Sequence, residues 1–177
     1  MTKITLIRPV LLLELTLLLF PGCDWRKTSI SHAEDLPHFV QVDEGLYRGG
    51  QPSQEGVRWL AKRGVKTIVS LRSSHKEQAA ERALAEQLGL RWVHLPITPG
   101  WGPTKGQIQQ FLTLAQDPAS RPLFVHCQHG KNRAGLMVAI YRRVHDGWSV
   151  QQAYQEAREL GMRIYNFSDL KKCEIGR

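Results

Sequence analysis

Residues 126–133 read His-Cys-Gln-His-Gly-Lys-Asn-Arg, with five residues between Cys127 and Arg133. A thiol attacks as the thiolate, and a helix N-terminus or nearby cations favour that form. The segment after Gly130 reads as a helix, so its unsatisfied N–H groups point back toward Cys127. Lys131 and Arg133 add positive charge. The same N–H groups make a cradle for an anion. Gly130 in mid-loop lets the backbone bend so that successive amides face inward. A guanidinium holds two phosphate oxygens at once. Such a loop binds a phosphoryl group and presents a nucleophile to its phosphorus.

Elements must hold that loop in place. The apolar run Pro122 to Cys127 predicts a buried strand directly before it, and Gly130 to Asp146 a helix directly after it. Upstream, His38 to Gly50 predicts two short strands around Asp43-Glu44-Gly45. A helix is expected from Ser53, its N-cap, to Gly64, its C-cap. A strand over 65–71 follows, then an Ala-, Glu- and Leu-rich helix over 75–89, then a strand over 90–96. Thr104 to Gln116 predicts a helix, and Ser149 caps a last one reaching about Leu160. This alternation implies an α/β fold, with a central, mostly parallel sheet flanked by helices on both faces. Ligands of such sheets bind beyond the carboxyl ends of the strands, where Cys127 stands.

The chain has 177 residues, 42% of them hydrophobic, and a formal net charge of +8. These values fit one globular domain whose partner is anionic. No lysine or arginine run suggests nucleic acid, and no cofactor or metal is expected. His126, Cys127 and His129 lack a fourth zinc ligand at a familiar spacing. Residues 1–23 carry Lys3 and Arg8, then an apolar stretch from Val10 to Phe20, and read as a signal peptide. Phe20-Pro21-Gly22-Cys23 resembles the lipobox of bacterial lipoproteins. That resemblance implies lipid on Cys23, a membrane anchor and export to the periplasmic side. Residues 24–37 are polar and read as a tether, leaving 38–177 as the domain. Cys173 is expected to be an ordinary free thiol.

The loop, its preceding strand, the following "AGLMVAIYRR" and the earlier "GLYRGGQPS" resemble cysteine-dependent protein tyrosine and dual-specificity phosphatases. These segments also look like small bacterial dual-specificity phosphatase-like proteins, and a similar loop occurs in fungal and plant atypical members that act on inositol pyrophosphates. The resemblance implies a tyrosine-phosphatase-like fold and a hydrolase that acts through a phosphocysteine. Cys127 would attack phosphorus, and Arg133 would hold the transferring group. The backbone of Gln128, His129, Gly130, Lys131, Asn132 and Arg133 would bind its oxygens. His126 would orient the loop and help keep the thiol ionised. The partners implied are a phosphorylated protein or a small phosphorylated molecule.

Two departures from the family pattern bear on activity. Ala134 stands where the family commonly has Ser or Thr, whose hydroxyl stabilises the thiolate. The loop expected to carry an acidic general acid, Pro96 to Gly106, has no carboxylate. General acid help is typically worth ~10²- to 10⁴-fold, most for poor leaving groups. Aryl phosphates and phosphoanhydrides are therefore expected over phosphoserine. A catalytically weak phosphate-binding pseudophosphatase is the alternative, and a rhodanese-type sulfurtransferase is a third reading. Lys131 is placed to take a second phosphate. Trp101 is expected to pack on the core as part of a lid, and His94 to sit at the core edge. Arg48 is left open between facing the site and ending a strand.

Overall fold

The computed structural model describes residues 34–74 and 78–172. The signal segment, Cys23 and Cys173 lie outside them. The elements follow in the order β1 (Val40–Asp43), β2 (Leu46–Gly49), α1 (Gln54–Lys62), β3 (Thr67–Ser70), α2 (Ala79–Gln87), β4 (Arg91–His94), α3 (Lys105–Gln116), β5 (Leu123–His126), α4 (Arg133–Val144), α5 (Val150–Glu159) and α6 (Phe167–Lys172). One sheet has the strand order β1-β2-β5-β3-β4. Its pairs are parallel except β1 with β2, which form an antiparallel hairpin at the edge. Asp43 closes that hairpin by accepting from the Gly45 N–H at 2.7 Å.

The period of two along each strand divides the core. Leu123, Val125 and Cys127 face one cluster, with Val69, Leu71 and the residues of α3 and α4. Phe124 and Ile68 face the other, with Val57 and Leu60 of α1 and Leu84 and Ala85 of α2. Both faces are thus covered, as an all-buried parallel strand requires. Helix α4 is buried from Ala134 to Tyr141, which explains why its sequence is apolar on every side.

Three boundaries differ from expectation. Leu36 is buried in the α1/α2 cluster, Asp35 O accepts from the Ser53 N–H, and Pro37 O accepts from the Gly50 N–H. Residues 35–37 therefore belong to the folded domain rather than to a tether. Helix α4 begins at Arg133 and not at Gly130, because Gly130 adopts φ +74° and ends the loop's bend before the helix can start. Helix α6 was not expected; a hydrogen-bonded turn of Asn166, Ser168 and Asp169 opens it.

Candidate active site

The carboxyl ends of β3, β4 and β5 open onto one cavity of about 370 Å³. The segment after β5 supplies Cys127, Gln128, His129, Asn132 and Arg133. Arg72, Ser73 and Ser74 come from the segment after β3, and Pro99 and Gly100 from the segment after β4. Ile164 and Tyr165, beyond α5, complete the wall. The Cys127 thiol is buried at the cavity base.

The loop is shaped by donors that take its carbonyls. Gln128 O accepts from the Gln51 N–H at 3.2 Å, and Asn132 O from the Leu136 N–H at 2.8 Å. Gly130 O accepts from Arg48 Nη2 at 2.8 Å. In a trans peptide the next N–H points opposite to its carbonyl. The N–H groups of His129 and Lys131 are thereby turned away from β2. Among the described residues, no acceptor meets the N–H groups of Gln128 to Asn132. Successive loop amides without partners form the kind of nest that anions occupy. Gly130 is required twice over. Its φ is positive, and a Cβ there would lie 2.5 Å from Gly49 C and Gly50 N.

Arg133 opens the first turn of α4. Its Nη1 donates to Leu71 O at 3.1 Å and Ile97 O at 3.2 Å, while the side chain lines the cavity. The guanidinium is thus pre-set on carbonyls from two loops, which lowers the ordering cost of gripping an oxyanion. Asn132 occupies the N-cap of α4 but makes no capping bond. Its Oδ1 instead accepts from the Arg163 and Ile164 N–H groups at 2.7 and 3.0 Å. The helix N-terminus is left open, and the 161–166 segment is tied to the loop.

Strand alternation sends His126 to the opposite face from Cys127. There the buried imidazole meets Glu81 Oε1 through Nε2 at 2.9 Å. Glu81 also accepts from Trp92 Nε1 at 2.7 Å and from Gln51 Nε2. Burial pushes the Glu81 carboxyl up, but the His126 charge and three hydrogen bonds outweigh it and hold it below its usual value. Gln51 Oε1 accepts from Arg72 Nη1 at 2.9 Å. A continuous polar chain thus runs from the cavity wall, through Gln51 and Glu81, to the residue before the thiol.

A family of "DSP-PTPase phosphatase fused to NAD+ Kinase" matches residues 23–173. The chain belongs to this phosphatase family. The chloroplastic probable NAD kinase 2 of Oryza sativa is 35% identical over 124 residues, covering 68% of this chain and 13% of that one. The chain thus spans about an eighth of the length of the first curated relatives it matches. The dual-specificity protein phosphatase TpbA of Pseudomonas aeruginosa is 33% identical over 124 residues, 70% of this chain and 55% of that one. The crystal structure of a Cys-to-Ser TpbA with phosphotyrosine superposes with a TM-score of 0.60 and 28% identity, covering 77% of this chain and 80% of the other.

In this phosphatase fold most predicted site residues converge. Cys127, Gln128, His129, Asn132 and Arg133 line the cavity, and Gly130 shapes it. His126 stands behind the loop. Lys131 departs from expectation. Its side chain is not part of the cavity wall; a Cβ on Gly161 would lie 3.2 Å from its Cγ and Cδ, and its charge acts on His38. In this arrangement the Lys131 side chain does not make the second phosphate contact expected of it. Besides Arg133, the cation on the wall among the described residues is Arg72. Trp101 does not pack on the core, since its side chain is 75% exposed; its carbonyl accepts from Tyr165 Oη at 2.8 Å. His94 sits at the core edge, its Nε2 2.7 Å from Arg72 O. Arg48 lies buried beneath the loop.

Glu81, Gln51 and Arg72 were missed by sequence reasoning. Glu81 carried a signal: it falls three and four positions before Leu84 and Ala85, on the buried stripe of α2. A carboxylate on an apolar stripe calls for a buried donor. Gln51 and Arg72 carried none, because their partners come from distant segments.

Proposed function

We propose that this protein is a cysteine-dependent phosphatase that hydrolyses phosphoric monoesters through a phosphocysteine. Its substrates are phosphotyrosine-type and other phosphates with good leaving groups, on proteins or small molecules. The observation that carries this reading is the shared placement of Cys127 and Arg133 on one cavity, at the open N-terminus of α4, beside unpaired loop amides. TpbA, with its phosphotyrosine complex, supports the substrate class.

In the first step the Cys127 sulfur attacks phosphorus. The S–P bond forms as the P–O bond to the leaving group breaks, and the leaving oxygen takes a proton from solvent. Arg133 and the loop amides hold the three equatorial oxygens as charge develops on them. Water then attacks phosphorus, the S–P bond breaks, and phosphate leaves with the thiolate restored. No carboxylate lines the cavity among the described residues. Leaving groups that depart as stable anions are therefore favoured.

Turnover under reductant on an aryl phosphate, a phosphotyrosine peptide and a phosphoserine peptide tests this reading. We expect the first two to exceed the third in kcat by about 10²-fold or more, with all turnover lost in Cys127→Ser. Preference for phosphoserine would overturn the substrate argument. Phosphate binding without turnover would favour the pseudophosphatase.

We propose further that the chain is exported and anchored by lipid on Cys23, on the periplasmic side of a bacterial membrane. The apolar stretch Val10 to Phe20 and its Gly22-Cys23 ending support this. Labelled fatty acid should enter the full chain and not Cys23→Ala; equal labelling of both would refute the anchor.

A further inference from the structure

We propose that Arg48 is a positioning residue for the active-site thiol, a buried cation that pins the loop from beneath and sets a fixed positive charge behind Cys127. This rests on the reading of Cys127 as the nucleophile. Arg48 stands on β2, opposite Val125 of β5, and is 1% exposed. Its Nη2 donates to Gly130 O at 2.8 Å and to Leu160 O at 3.3 Å. One nitrogen thus ties the left-handed corner of the loop to the end of α5. A Cβ on Gly135 would lie 3.6 Å from both Nη atoms, so the guanidinium also sits against the first turn of α4.

Two features go beyond a structural peg. Nε and Nη1 are buried with no hydrogen-bond partner. Among the described residues, no carboxylate forms an ion pair with Arg48. A buried cation that meets only carbonyls is costly, and a neutral amide would bridge two carbonyls at less cost. The charge calls for a negative group nearby. Burial holds the guanidinium below its usual value, and the charges that act against this are those of Cys127 and Glu156. Arg48 pairs with Val125, and the period of two puts Cys127 on the same face, so the cation lies on the thiol's side of the sheet. Position 134 is a buried Ala and brings no hydroxyl to the thiol. Arg48 does not line the cavity, so it acts on the thiol and the loop, not on the substrate.

The test is the alkylation rate of Cys127 by neutral iodoacetamide in the full-length protein under mild reductant. Cys127→Ser serves as the blank for Cys23 and Cys173. At about pH 6, Arg48→Met should react roughly tenfold slower than wild type and Arg48→Lys within about threefold, with all three converging near pH 9.5. An unfolded variant would carry an ordinary thiol and would also be slow at pH 6, so each variant is first required to show the cooperative thermal transition of wild type. Arg48→Gln keeps a donor for Gly130 O and should be slowed as Arg48→Met is. Equal rates for wild type and the neutral variants at pH 6, or Arg48→Lys as slow as Arg48→Met, would overturn the proposal. A wild-type protein no faster than the blank at pH 6 would overturn the nucleophile reading as well.

Discussion

Glu81 ties the base of the Cys127 loop to stability at the scale of a single residue. Its buried carboxylate accepts from His126, Trp92 and Gln51, and these partners hold it below the usual glutamate range. A carboxyl depressed in the folded state adds stability that is full above its unfolded value, roughly 4.3, and lost as pH falls through the folded one. Acid titration of unfolding should therefore show wild type losing stability below about pH 4.5, with Glu81→Gln flatter over the same range. At neutral pH that variant should be about 2–4 kcal/mol less stable, because three donors lose a charged acceptor. A wild-type curve parallel to that of Glu81→Gln through the acid range would contradict this account of the network. Gly130 is equally exacting. An Ala there must meet the Gly49 and Gly50 backbone at 2.5 Å, and the loop cannot keep its shape.

Segments far apart in sequence are brought to the loop by the elements. Asn132 draws the 161–166 segment onto it through two backbone N–H groups, and Ile164 and Tyr165 of that segment wall the cavity. Asn132→Ala should raise KM several-fold while leaving kcat within about threefold, and cost roughly 1–3 kcal/mol of stability from two lost bonds. An unchanged KM would show that the segment does not bear on substrate. This level also marks how far the sequence is legible. The strand-loop-helix run around Cys127 is local, so its spacing and its Gly were enough to read it. The helices of α1, α3 and α5 were readable from their Ser or Thr caps. The direction of the Lys131 side chain, the burial of Arg48 and the Arg72–Gln51–Glu81 chain depend on contacts across the sheet. No periodicity encodes these. Trp101 misled for a related reason. A large aromatic usually packs inward, but here only its carbonyl is held, and the ring is left outside.

Across the whole molecule, charge and topology act together. The chain carries a net charge of +8, and its cavity wall carries Arg72, His129 and Arg133 and, among the described residues, no acidic group. Such a field raises the local concentration of anionic substrates and is screened by salt. Raising ionic strength from about 20 to about 200 mM should lower kcat/KM for a phosphorylated substrate several-fold, chiefly through KM. Salt-independent kcat/KM would mean that the charge serves something other than substrate capture. The sheet order places β5 between β2 and β3, so Cys127 emerges from the middle of the sheet, beside the segments after β3 and β4 that help wall the cavity.

The most direct test of the central claim is to trap the covalent intermediate. The full-length protein is mixed with an aryl phosphate, quenched in acid and digested, and the peptide that carries Cys127 is weighed. A phosphate adduct on Cys127, absent from Cys127→Ser, is the predicted result. Phosphate released without any adduct, or an adduct on a residue other than Cys127, would contradict it.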